Sequence, residues 1–158
     1  MLKKIISGGQ TGVDRGALDA ALDAKFPCGG WCPTGRLAED GIIPAHYPMS
    51  EMRDGGYRER TRKNVVDSDG TLVIYFGELG GGTRETVRYC ETLGKPVLAL
   101  DAGASTPEDV AAAAREFVRE RDIAVLNVAG PRESGWLGAR RYASEVLALV
   151  LVRVRSER

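Results

Sequence analysis

Residues 71–86 read Thr-Leu-Val-Ile-Tyr-Phe-Gly-Glu-Leu-Gly-Gly-Gly-Thr-Arg-Glu-Thr. The first six, Thr71–Phe76, are apolar without alternation, the pattern of a strand covered on both faces. Three consecutive glycines are costly in backbone entropy, and a plain turn rarely needs them all. They run into Thr83, a residue suited to capping a helix. Val87, Cys90 and Leu93 then share one stripe up to Gly94-Lys95-Pro96, a helix stop and a breaker. The stretch spells strand, glycine loop, helix.

The same order recurs along the chain. Lys4–Ser7 is a short apolar run, followed by Gly8–Gly12 and a helical pattern over Val13–Ala24. Val97–Asp101 precedes Thr106-Pro107-Glu108-Asp109, with Thr at the N-cap, Pro in the first turn and acids at the positive helix end. That helix is predicted to reach about Arg121. Ile123–Val128 precedes a last helix over about Leu137–Arg153, and Phe26–Trp31 is a weaker fifth strand. Such alternation predicts an α/β fold: a single Rossmann-like three-layer domain over residues 1–158, with a mostly parallel sheet of about five strands and helices on both faces. Tyr57–Val66 reads as a charged helix. Arg36–Gly56 has no period and reads as a lid or binding loop.

Composition narrows the function. At 158 residues the chain is one ordinary domain. Its 22 basic and 22 acidic residues cancel, whereas proteins that neutralise phosphate backbones usually carry a basic excess. Direct nucleic-acid binding is therefore not expected. Cys28, Cys32 and Cys90 are too few for a disulfide scaffold, and Cys28 with Cys32 cannot complete a tetrahedral metal site. No metal site is expected. Met1–Ile6 is too short for a signal peptide and no segment approaches a membrane span, so a cytoplasmic protein without a membrane segment is expected.

Loops at the carboxyl ends of parallel strands are where ligands sit. Ser7, Gly8, Gly9, Gln10, Thr11 and Gly12 form one such loop, and Gly80, Gly81, Gly82 and Thr83 a second. Backbone amides at a helix N-terminus suit a phosphate. Neither loop is a G-x-G-x-x-G fingerprint or a Walker A motif. A third candidate region, Trp31–Arg36, offers Arg36 as a bidentate partner for phosphate. Trp31, balanced between core and site, or Tyr57 could stack on a flat ring. Tyr57 and Arg58 begin a helix beside the long loop. Gly130–Trp136 is a third carboxyl-end loop, with Ser134 near any anion. His46 reads as structural. The last helix is apolar nearly all round, and a homo-oligomer interface would bury its surplus.

Ser-Gly-Gly-Gln-Thr-Gly-Val-Asp-Arg-Gly-Ala-Leu at 7–18, Cys-Pro-Thr-Gly-Arg at 32–36 and Gly-Gly-Gly-Thr at 80–83 resemble the molybdenum carrier family, over nearly the whole chain and in the same order. That family sits in a Rossmann-like superfamily with lysine-decarboxylase-like cytokinin phosphoribohydrolases and DNA-processing DprA proteins. The resemblance implies a cofactor- or nucleotide-binding crevice on the glycine loops. It further implies carriage of the molybdenum cofactor (molybdopterin), a pterin bearing a phosphate; a nucleotide is the alternative ligand. The phosphoribohydrolase pattern, Pro-Gly-Gly-x-Gly-Thr-x-x-Glu, ends on a catalytic Glu. Aligned on Thr83, that position holds Thr86, with Glu85 one step earlier. One helical step is about 100°, which predicts that Glu85 is turned from the crevice. The alternative functions are a nucleotide-derivative hydrolase, with Glu85 and Asp14 as candidate catalytic acids, and a nucleotide-sensing regulatory protein.

Overall fold

A computed structural model describes residues 1–156, with side chains through Val152. The main sheet has five parallel strands: β1 (Lys4–Ile6), β2 (Cys28–Gly29), β7 (Gly70–Tyr75), β8 (Val97–Asp101) and β9 (Val125–Ala129). Their order is β2-β1-β9-β7-β8. The helices are α1 (Val13–Asp23), α2 (Tyr57–Val66), α3 (Gly81–Leu93), α4 (Pro107–Glu120) and α5 (Ala139–Ser156).

The pleat sorts the strand residues between two layers. Leu72, Ile74, Leu126 and Val128 join a core with Ala17 of α1, Ala114 of α4 and Val146 of α5. The intervening residues Thr71 and Asn127 are register partners, and the Asn127 amide donates to the Thr71 hydroxyl at 3.2 Å. α1, α4 and α5 pack together, while α2 packs on α3 and α3 lies on β7 and β8. This is the expected three-layer α/β arrangement. Thr106 caps α4 by accepting from the Asp109 amide at 3.2 Å, as its sequence predicts.

The strand order has a simple origin. Counted cyclically from β7, the strands β7, β8, β9, β1 and β2 become one to five, and the sheet then reads 2-1-3-4-5. That is a common doubly wound order, whose ligand crevice lies between strands one and three. Here those strands are β7 and β9. The chain thus has the connectivity of a doubly wound domain opened at a different point, which places its last strand in the middle of the sheet.

Three expectations are corrected. The stretch Arg36–Gly56 is a packed excursion rather than a lid. It holds β4 (Leu37–Ala38) with β5 (Gly41–Ile42), while β6 (Ser50–Glu51) pairs with β3 (Trp31–Cys32). Ile43 and Tyr47 form a second small core with Leu18 and Cys32. The buried Tyr47 hydroxyl donates to Asp19 at 2.6 Å, and burial pushes its pKa up to about 12. The predicted strand Phe26–Trp31 is divided: the chain leaves the main sheet at Gly30 and enters the small one at Trp31. The apolar surplus of α5 is largely used inside the chain. Val146, Leu147, Val150 and Leu151 are buried, so the sequence argument for an oligomer loses most of its basis.

Candidate functional site

A cavity of about 400 Å³ lies at the carboxyl ends of β7 and β9, the crevice that the strand order singles out. One wall is the start of α3: Gly80, Gly81, Gly82, Thr83, Glu85 and Thr86. The N-cap of α3 is Gly80, which supplies no side-chain cap. The first-turn amides of a helix have no intrahelical partner, and the dipole adds positive potential there. A Cβ built at Gly80, Gly81 or Gly82 meets nothing within 4 Å. The amino end of α3 thus opens on free space.

The opposite wall comes from β9 and the loop after it: Asn127 to Arg132, with Ser134 and Gly135. α2 contributes Tyr57, Arg58, Arg60, Thr61 and Asn64. The guanidinium groups of Arg60 and Arg132 lie 5.6 and 5.0 Å from the Tyr57 ring centre, within cation–π range. Arg58 pairs with Glu85 at 3.1 Å, and the Tyr89 hydroxyl donates to the same carboxylate at 3.2 Å. Glu85 therefore lines the cavity, which corrects the prediction that the one-step offset turns it away. Thr86 lines it as well, because the first turn of α3 meets the crevice broadly.

The first glycine loop behaves differently from expectation. Only Gly8 and Gln10, with Asp14 beyond them, line the cavity. Three of its amides are already engaged: Gly9 donates to the Ser7 hydroxyl, Gln10 to the Asp14 carboxylate and Thr11 to the Gln10 amide oxygen. Ser7 is fully buried and donates to the Asp14 carbonyl at 2.9 Å. Gly12 has φ 79°, and a Cβ there would lie 2.3 Å from the Pro131 carbonyl. The loop after β9 crosses against it and leaves no room for a side chain. The Thr11 hydroxyl donates to Glu39 and accepts from the Glu133 amide, tying three segments together. Hydrogen bonds from Ser134 and Thr11 hold the Glu39 carboxyl below its ordinary pKa.

Two features set this loop apart all the same. Asp14 meets Arg60 at 3.1 Å, and burial pushes its carboxyl above the usual range against the opposing pull of that arginine. Gln10 is 4% exposed; its amide oxygen accepts from the Thr11 and Glu39 amides, at 3.0 and 2.9 Å. Two donors at that atom fix the orientation of the side chain. Its Nε2 is then left buried with no partner. Orphaned buried donors are uncommon in folded proteins.

Arg36, expected to neutralise a phosphate, lies outside this cavity. Its guanidinium donates to the carbonyls of Ile43, Pro44 and Tyr47, closing the excursion on itself. Trp31 is also elsewhere, with its indole N–H donating to Asp67 at 2.7 Å. His46 lies against Tyr47, ring centres 4.1 Å apart. Thr61, Asn64 and Asn127 are cavity residues that sequence reasoning does not single out. It reads Arg60 only as one of a basic stretch from which one or two arginines could enter the crevice, and Arg132 only as part of the loop Gly130–Trp136. The available signals were weak: a diluted basic run for Arg60, and a position just past the last strand for Arg132. Among the described residues no group of three His, Cys, Asp or Glu could hold a metal ion. Among the described residues no helix is long and apolar enough to cross a membrane.

Comparison with known proteins agrees with this architecture. A solved structure from Syntrophus aciditrophicus SB, described as a "Putative molybdenum carrier protein", is 44% identical to this chain. The two match over 95% of each chain with a TM-score of 0.92. No curated protein matches. The model of the circularly permutated YpsA SLOG family matches residues 5–151. The displaced last strand is the structural form of that permutation, and the chain belongs to the circularly permutated YpsA SLOG family.

Proposed function

We propose that the protein binds a small molecule carrying a phosphate or comparable oxyanion, with the anion at the amino end of α3. The observation that carries this reading is the glycine-capped start of that helix, open to a cavity that Arg60 and Arg132 also line. Gln10, whose Nε2 is buried without a partner, is among the residues that line the same cavity. A nucleotide derivative fits this chemistry. So does the molybdenum cofactor, whose phosphate could take the same seat. With no such ligand cluster among the described residues, any molybdenum would be cargo held by its own organic ligand. Calorimetric titration with AMP and adenosine tests the reading. AMP is expected to bind at least about tenfold more tightly, since a favourable ion contact amounts to more than about 1.4 kcal/mol. Equal affinity for adenosine would contradict it.

A second reading is favoured by Glu85 and Asp14, which both line the cavity. Burial raises the Asp14 carboxyl, and such a group can act as a general acid, so hydrolysis of a nucleotide derivative is the enzymatic alternative. Glu85→Gln and Asp14→Asn would each then remove turnover while leaving ligand affinity within a few-fold. Turnover that survives in both variants would remove this alternative.

A further inference from the structure

We infer that the protein holds a flat nitrogen heterocycle in a second recess, against Trp136, while the anionic end of the same ligand occupies the amino end of α3. This rests on the phosphate-binding reading and adds the class of group attached to the phosphate. The recess has a volume of about 310 Å³. It shares Gly80, Thr83, Pro131 and Gly135 with the larger cavity, so one molecule can span both.

The recess has the components of a ring site. Trp136 stacks on Phe76 with ring centres 4.9 Å apart and planes inclined by 10°. Phe76 in turn meets Tyr142 edge-on at 5.4 Å. The indole is therefore backed by two further rings, yet remains 46% exposed. An aromatic with one face supported and much of its surface open is a stacking platform. Glu78 lines the same recess, and a carboxylate accepts hydrogen bonds from ring amino groups.

The platform is also held in place. Glu133 accepts from the amides of Gly138 and Arg140 at 2.7 and 2.9 Å, fixing the loop to the start of α5. The Ser134 hydroxyl donates to Glu39 at 2.5 Å, and the Trp136 amide donates to the Arg132 carbonyl at 3.2 Å. A loop pinned on both sides of Trp136 loses little freedom when a ring settles on it. Trp31 does not compete for this role, because it lies outside both recesses.

The test uses the Trp31→Phe protein, in which Trp136 is the only tryptophan. AMP, neopterin monophosphate and ribose 5-phosphate are titrated while indole emission and heat are recorded. The expected result is quenching by one or both ring-bearing ligands and none by ribose 5-phosphate. The preferred ring distinguishes purine from pterin. Trp136→Ala is expected to weaken the ring-bearing ligand about tenfold and leave ribose 5-phosphate unchanged, with Trp136→Phe restoring most of the loss. If all three ligands bind alike and Trp136→Ala changes nothing, the ring site is overturned and the phosphate reading stands. If none of them binds, both are overturned. If Trp136→Ala alters sedimentation but not ligand affinity, the indole serves a protein contact and the ring site is overturned.

Discussion

Asp14 and Arg60 meet at 3.1 Å with side chains only 8% and 11% exposed, in a space that exists because residue 8 lacks a side chain. A Cβ on Gly8 would fall 1.4 Å from the Arg60 guanidinium. The glycine of the first loop thus admits an arginine of α2. This contact joins the first loop to the helix bordering the cavity. Removing one member of a buried pair leaves the other charge uncompensated. Arg60→Met is expected to destabilise the fold by about 3 kcal/mol in urea unfolding. Gly8→Ala should cost less, because the end of the flexible Arg60 side chain can shift to make room. A wild-type urea midpoint for Arg60→Met would show that the pair contributes nothing.

The same carboxyl sets a pH dependence. Burial raises the folded-state pKa of Asp14 above the value of about 3.8 expected when unfolded. The folded protein then binds more protons than the unfolded chain between the two values. Stability contributed at this site is greatest at low pH and falls as pH rises through that window. Glu39 and Asp40 act oppositely. Hydrogen bonds from Ser134 and Thr11 depress the first, and Arg15 the second, so their contributions are lost as pH falls. Subtracting the stability of Asp14→Asn from wild type across pH 3–7 isolates the Asp14 term. The difference is expected to move against the wild type as pH rises; a flat difference would contradict the assignment.

Arg36 supplies a contrasting prediction. Three carbonyls of its own excursion occupy it. Arg36→Ala is expected to lower stability by about 1–3 kcal/mol, since those bonds involve a charged donor. AMP affinity measured by calorimetry should stay within about twofold. A tenfold loss of affinity without loss of stability would return Arg36 to the binding site.

The fold was legible because each strand–loop–helix repeat is local. Thr71–Phe76 followed by Gly80–Thr83 states strand, loop and helix within a few residues, and the α3 cavity wall follows from it. The division of residues 26–31 between two sheets was not legible, because the chain changes partners at Gly30 rather than at any change of hydropathy. Nor was the position of Arg36, since glycine and arginine near a phosphate look the same in sequence as glycine and arginine near a carbonyl. Gly12 illustrates the difference: its neighbour, the Pro131 carbonyl, is more than a hundred residues away. Arg60 and Arg132 reach one tyrosine from separate elements, a meeting that only the tertiary fold specifies.

The central claim is that an anion sits at the amino end of α3, and Gly82→Asp tests it most directly. Residue 82 is in the first turn, and a side chain there meets nothing within 4 Å. A carboxylate at that place suits the helix, contributing about 0.3–1 kcal/mol. It would also occupy the potential that a ligand anion needs, and like charges in one site repel. Calorimetry and urea unfolding of this variant are therefore predicted to diverge: AMP affinity falls about tenfold or more, while the unfolding midpoint equals or exceeds wild type. Wild-type affinity for AMP in a folded Gly82→Asp protein would contradict the account.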